Sequence, residues 1–463
     1  MRSLHFYPPY ILLIVFITAL TLRVALEPIP FYSAEPFAQQ RVSFDGYYEI
    51  SQNLFAGNGF TTKQSVPYAP DSERAPLYPY FLAALSALFG DPKLIFLVQA
   101  LIGSASAILA CLIARQFLSP AYALATGLLA ALEPYTAYVA GVFFTETLFL
   151  FLFLAALYTF LGYLKERTAT HIAMCGFLFG MAALVRPTVQ YLPLALLIIM
   201  WLSHKRFDKK LLREGVIFII IFLAVLSTWS IRNYTTFGSV QISDSLYKSL
   251  YGYLAPSSIA LERGLGYQAA ADEMFAKYGV REDEVSFSNA REMRTLALSE
   301  LKRHPIGFAE SVGVTMWAFF THDAYTSMLE NLGFAVSFSH PAISELVSHP
   351  SEAFAFLKTA SRGVGWIPIA GRLFWILTSL LALVGTLLWA RVRGITPELL
   401  LIVGIIAYFA LTTIVVGLGV TGRYRIPVNP LLFILALYAL EYFFSKRYSF
   451  RSVLYPRKSE GDA

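Results

Sequence analysis

With 463 residues, of which 57% are hydrophobic, 15% aromatic and only 14% charged, the chain has more apolar side chains than one water-soluble core can hide. An ordinary soluble enzyme is excluded. The formal charge of +6 does not indicate nucleic acid, because the basic residues lie in short clusters between apolar runs, as cytoplasmic membrane anchors do.

Ten apolar runs approach the roughly 20 residues that a bilayer core requires. They are 7–26, 94–114, 120–142, 147–164, 170–185, 188–202, 215–231, 373–390, 399–420 and 426–444. The predicted fold class is an all-α polytopic membrane protein with about ten spans. The first run is expected to be a retained anchor, because no convincing small-x-small cleavage site follows it. Two further stretches, 76–90 and 305–320, are short or carry a charge and are predicted to lie at the interface. Cys111 and Cys175 fall inside apolar runs and form no CxxC pair.

Charge orients the spans. A cytoplasmic N-terminus and ten crossings put Lys165, Arg167, Lys209, Lys210, Arg213, Arg391, Arg393, Lys446 and Arg447 on the cytoplasmic side, as the positive-inside rule requires. The domain division that follows is a membrane core, 1–231, with a first outer loop at 27–93; a large outer loop region, 232–372; C-terminal spans, 373–445; and a basic cytoplasmic tail, 446–463. Within the large loop the pattern turns helical from about 267 to 303. No internal repeat of the kind found in many transporters is present.

The first loop contains RVSFDGYYEISQNLFAGNGF, residues 41–60, where Tyr47, Ile50 and Leu54 share one helical face and Asp45, Glu49 and Gln52 the other. Asp45 reads either as a helix N-cap or as a functional carboxylate. Glu73 and Arg74 precede APLYPYF. Glu133 before Pro134 lies within the third run and reads equally as a bundle-facing polar residue. Glu146, in FFTETLF, either complements a helix dipole or acts in a site. Arg186 with Pro187 breaks the stretch 170–202 and forms the tip of a tight hairpin, as a topology anchor or a ligand contact. Arg232 ends the seventh span as a snorkelling side chain or a ligand contact. Arg423 and Arg425 flank Tyr424 before the last span, as head-group anchors or phosphate contacts. Arg23 sits near the outer end of the first span and faces the same polar region on this reading.

Several arginines beside carboxylates at one membrane depth suit an anionic head group whose tail stays in lipid. The planar guanidinium binds two phosphate oxygens at once. The carboxylates suit a general base or a divalent cation, the one cofactor they would accommodate. His322, His340 and His349 lack a zinc spacing, and no Walker, HExxH or GxSxG motif occurs.

These motifs resemble, in order, those of the polytopic glycosyltransferases of the C-type fold, specifically family 39 with its protein mannosyltransferase and aminoarabinose transferase relatives. The resemblance rests on FDGYYEISQNLFAGNGF, ERAPLYPYFLAAL, TETLFLF, GFLFGMAALVRP, WSIRNYTTFG and GRYRIPVNPLL and covers most of the chain. It implies a C-type transmembrane bundle and an inverting transfer from a polyprenyl-phosphate sugar to a protein, lipid or glycan acceptor at the extracytoplasmic face of a plasma membrane. It implies Asp45 and Glu146 as the catalytic acids and Arg423, Arg425, Arg186 and Arg232 as donor contacts. Arg74, Tyr48 and Glu49 complete the expected substrate-binding set. Many relatives carry an acidic pair where this chain has Asp45 and Gly46, which weakens a metal role there. The alternatives are a transporter or flippase, or a non-catalytic binder, of lipid-linked sugars; the gathering of charge at one face argues against the first.

Overall fold

A chain crossing hydrocarbon must satisfy its backbone groups within helices or a closed barrel, and this one does so with helices. The structure, a computed structural model, describes residues 9–28, 42–203, 208–336 and 363–454, among which there is no strand.

Helix α1 (Pro9–Ala25) is followed by a short α2 (Tyr47–Phe55), entered through Gly46 at φ 73°. Helix α3 (Leu77–Phe89) ends on Gly90, also left-handed, and α4 (Pro92–Ala114) starts where the Asp91 side chain accepts from the Lys93 amide. Then come α5 (Pro120–Leu132), α6 (Pro134–Tyr138), α7 (Glu146–Glu166), α8 (Ala169–Val185), α9 (Leu192–Ser203) and α10 (Lys209–Phe237). The segment after α10 contains α11 (Ser245–Ser249), a π-helical turn (Leu250–Leu254), α12 (Ala255–Arg263), α13 (Tyr267–Tyr278), α14 (Ala290–Arg303), α15 (Pro305–Thr321) and α16 (Tyr325–Asn331). The chain closes with α17 (Trp366–Arg393), α18 (Pro397–Thr413) and α19 (Asn429–Leu454). A strap of two 3-10 stretches, Ile414–Gly419 and Gly422–Val428, joins the last two.

Among the described residues, six helical segments are long and apolar enough to cross a membrane: Pro92–Ala114, Glu146–Glu166, Lys209–Phe237, Trp366–Arg393, Pro397–Gly419 and Gly422–Ser445. Five shorter apolar helices accompany them, at Pro9–Ala25, Leu77–Phe89, Pro120–Leu132, Ala169–Val185 and Pro187–Ser203. The run 120–142, expected as one span, is three elements, α5, α6 and a 3-10 turn at Val139–Gly141. Glu133 ends α5 in an extended conformation and turns its carboxylate onto the Tyr135 and Thr136 amides as the N-cap of α6. The helical stretch expected over 267–303 is likewise split, at Gly279. The break foreseen at Arg186-Pro187 is present, with Arg186 extended between α8 and a 3-10 turn.

In a membrane bundle close packing replaces hydrophobic segregation, so small residues mark the tightest crossings. A Cβ on Gly385 of α17 would lie 1.9 Å from the Leu435 carbonyl oxygen of α19, and one on Gly307 of α15 would lie 2.0 Å from the Ser258 carbonyl oxygen of α12. The helices between α10 and α15 also have their own core, in which Tyr251, Ala255, Ala270, Met274 and Met293 are buried.

Polar contacts dock residues 71–74 onto the segment following α10. The Asp244 amide donates to the Ser72 carbonyl at 3.2 Å, the Ser72 hydroxyl donates to Asp244 Oδ2, and the Ser243 hydroxyl donates to the Glu73 carbonyl. Lys248 pairs with Glu73 at 3.0 Å, and Arg232 donates to the Asp71 carbonyl at 3.0 Å. Asp244 is fully buried, its Oδ1 has no hydrogen-bond partner among the described residues, and burial pushes its carboxyl up to about 6.

Two outcomes test this packing. Gly385→Ala is expected to cost about 1–3 kcal/mol through overpacking, whereas Gly404→Ala, where a Cβ meets nothing within 4 Å among the described residues, should leave thermal unfolding in detergent unchanged. For Asp244 the folded pKa lies above the unfolded one, so the folded state binds the extra proton. Its contribution to stability falls as pH rises from about 4 to about 6, and the full penalty is present above that window. Asp244→Asn should therefore unfold roughly 2–4 °C above the parent at pH 7.5 and together with it near pH 4.

Candidate active site where α7 begins

Three parts of the chain meet at the start of α7: the turn before α2, the α8–α9 junction and the strap before α19. Glu146, in the first turn of α7, is completely buried. A buried carboxylate needs compensating cations, and Glu146 has two. Arg186 Nη1 donates to its Oε1 at 2.8 Å, and Arg423 reaches the same oxygen through Nε while Nη2 lies 3.5 Å from Oε2. Arg423 Nη2 also donates to Asp45 Oδ2 at 2.5 Å. Positive and negative groups thus alternate, Arg186, Glu146, Arg423, Asp45, across residues up to 378 positions apart. The Arg423 guanidinium lies over the Phe144 ring, 3.9 Å from its centroid.

Each member is held from behind. Arg74 donates through Nε to the Asp45 carbonyl at 2.5 Å and pairs with Asp71 at 2.7 Å. A Cβ at Gly46 would come within 3.2 Å of that Nε, and the positive φ there also favours glycine. Asp45 is consequently not a helix cap, since Gly46 occupies that position and the carboxylate points to Arg423. The turn leading into Glu146 is fixed by Gln99 of α4, whose amide donates to the Ala140 and Val142 carbonyls at 2.9 and 3.2 Å while its oxygen accepts from Tyr78. The Phe143 amide donates to the Val42 carbonyl at 2.8 Å, tying the start of the Asp45 segment to the same turn. Burial, with Asp45 adding to it, pushes the phenol of Tyr47 far above its ordinary range, which keeps it a neutral donor beside the carboxylate.

The strap that presents Arg423 is pinned by α12, α15 and the turn after α15. The Leu418 amide donates to the Ser257 hydroxyl at 2.9 Å, and Thr315 donates to the Gly417 carbonyl at 3.1 Å. His322 Nδ1 accepts from the Ala324 and Gly422 amides at 3.0 and 3.3 Å.

Of the expected residues, Asp45, Glu146, Arg186, Arg423 and Arg74 come together. Arg425 does not join them: it is buried, with its guanidinium 3.6 Å from the Trp375 ring centroid and donating to Asn429 and to the Phe319 and His322 carbonyls. Arg232 lies against Trp229 and Phe60 and is linked to Arg74 only at one remove, through its bond to the Asp71 carbonyl. Tyr48 is buried and stacked on Phe143 at 4.4 Å, and Glu49 accepts the Ser43 hydroxyl. Arg23 is buried on the Ala19 and Ala131 carbonyls. Glu133 accepts the Tyr325 hydroxyl at 2.9 Å, a structural use. Gln99 and Tyr47 were missed; a glutamine inside an apolar run was the available signal for the first.

The side chains as they stand do not fit a divalent cation. Asp45 and Glu146 both turn oxygens to Arg423, and no group of three or more His, Cys, Asp or Glu among the described residues is arranged to hold one. His340 and His349 lie outside the described residues.

Residues 73–231 match the model of the dolichyl-phosphate-mannose-protein mannosyltransferase family. No curated protein matches the chain. Among solved structures, the Archaeoglobus fulgidus oligosaccharyltransferase AglB in complex with an inhibitory peptide and a dolichol-phosphate superposes with a TM-score of 0.53 at 14% identity, over 98% of this chain and 53% of that one. The oligosaccharyltransferase from the same organism in complex with zinc and sulfate gives 0.52 at 14% identity, over 96% and 50%. ArnT from Cupriavidus metallidurans bound to undecaprenyl phosphate gives 0.40 at 15% identity, over 97% and 81%. The chain spans about half the length of the archaeal proteins. It is a membrane protein with the C-type glycosyltransferase fold, and over residues 73–231 it matches the dolichyl-phosphate-mannose-protein mannosyltransferase family.

Proposed function

We propose that the chain is an inverting hexosyl- or pentosyltransferase that moves a sugar from a polyprenyl-phosphate donor to a protein, lipid or glycan acceptor. The site faces the extracytoplasmic side of the plasma membrane, with both termini cytoplasmic. The observation that carries this reading is the alternation of Arg186, Glu146, Arg423 and Asp45 at one end of a membrane bundle. The family match over residues 73–231 supports it, as does the dolichol-phosphate held by an oligosaccharyltransferase of the same fold.

The two acids have different access, and this divides their roles. Asp45 is one-third exposed and Glu146 wholly buried, so only Asp45 meets an acceptor. An acceptor hydroxyl or amine attacks the anomeric carbon from the face opposite the phosphate and gives its proton to Asp45. The bond from carbon to phosphate oxygen breaks, its electron pair leaves with the phosphate, and polyprenyl phosphate departs. Charge then builds on the leaving oxygens. Arg186 Nε and Nη2 and Arg423 Nη1, which make no hydrogen bond among the described residues, are the donors placed to meet it. Glu146 is a positioning residue that fixes both guanidinium planes.

The purified protein, incubated with a panel of polyprenyl-phosphate sugars and acceptors, should release free polyprenyl phosphate. Asp45→Asn should lower turnover by about 10²–10⁴ with little change in thermal stability. Glu146→Gln should lower both, because it leaves two partly buried arginines, Arg186 and Arg423, without their shared counter-charge, at a cost of about 1–3 kcal/mol. Unchanged turnover in both variants refutes the assignment. Movement of an intact lipid-linked sugar across vesicles without release would identify a flippase instead.

A further inference from the structure

Two carboxylates from separate elements that converge on one point, beside a place prepared for phosphate, form an arrangement in which divalent cations are commonly held. In this protein a side chain fills that point. Arg423 Nη2 serves both acids, 2.5 Å from Asp45 Oδ2 and 3.5 Å from Glu146 Oε2, and Nε donates to Glu146 Oε1. The guanidinium is fixed there. Its plane rests on Phe144, and the strap behind it is hydrogen-bonded to Ser257, Thr315 and His322.

Charge balance points the same way. Asp45 and Glu146 carry two negative charges, Arg423 and Arg186 two positive ones, and Arg186 is already paired with Glu146 at 2.8 Å. A dication approaching this group finds no net attraction and no free carboxylate edge shared by the two acids. Removing Arg423 alone leaves two acids, one arginine and an open place between the acids.

We infer that Arg423 is a tethered substitute for a divalent metal ion: it bridges Asp45 and Glu146, keeps a metal out, and turns its remaining nitrogen toward the donor phosphate. That last role rests on the proposed transfer; the exclusion of metal does not.

The test uses the full-length protein in detergent or nanodiscs, freed of metal with EDTA and titrated with Mn²⁺ under electron paramagnetic resonance. Wild type is expected to bind no Mn²⁺ at this position. Arg423→Ala should gain one bound ion with a dissociation constant of about 1 mM or tighter, and a second change, either Asp45→Asn or Glu146→Gln, should abolish it. Transfer by the wild type should be unaffected by EDTA. Arg423→Gln, prepared with Mn²⁺ present, serves if the alanine variant does not fold. The inference is overturned if wild type binds a Mn²⁺ that Glu146→Gln removes, if EDTA abolishes wild-type transfer and Mn²⁺ restores it, or if a folded Arg423 variant binds none. Should neither variant fold, the two wild-type measurements still decide. Absence of transfer with every donor would refute the proposed function and leave the Mn²⁺ result standing.

Discussion

Everything at this end of the bundle depends on the burial of Glu146. A carboxylate excluded from water is tolerated only with its charge compensated and its oxygens bonded. Here the compensation comes from two arginines carried by different elements, one at the α8–α9 junction and one on the strap. The requirement therefore fixes where three parts of the chain meet. It also explains the Gln99 brace: without it, the turn that delivers Glu146 would be free to carry the carboxylate away from its partners.

The strap shows how an irregular segment is made rigid within a membrane protein. Its 3-10 turns leave backbone groups that lipid cannot satisfy, and side chains of α12, α15 and the following turn supply the partners. Arg425 is the reverse case, a cation that serves backbone carbonyls and an indole face. The two arginines are two residues apart, and in a 3-10 helix that separation turns them about 240° from each other. One faces the acids; the other is driven into the wall.

That geometry marks what was legible in the sequence. Apolar length and the residues bounding each run identified a polytopic helical fold, because the bilayer imposes both. The run 120–142 misled, since Glu133-Pro134 forms a cap inside a stretch whose average hydropathy stays high. The site residues were visible as charges out of place in apolar surroundings, and Asp45, Glu146, Arg186 and Arg423 do meet. Which arginines meet the acids was not visible. Arg423 and Arg425 look alike in GRYRIP, and Arg232 is captured by Trp229 one helical turn before it. A contact between residues 45 and 423 leaves no mark on either neighbourhood.

The same network bears on how a transfer of the proposed kind would proceed. A site whose fixed charges cancel adds little attraction for a charged ligand, so donor affinity would come mainly from the lipid and sugar portions. The balance would change along such a reaction. Asp45 would gain a proton and give up its hold on Arg423 at the moment the phosphate gained charge. The guanidinium freed from one anion would then be available to the other without moving through water, and without the reorganisation that a solvated cation would require. The short link between Asp45 and Arg423 is on this reading a coupling between proton acceptance at one end of the reacting group and charge stabilisation at the other. The buried pairing of Glu146 would keep that coupling in register by holding Arg423 in the site.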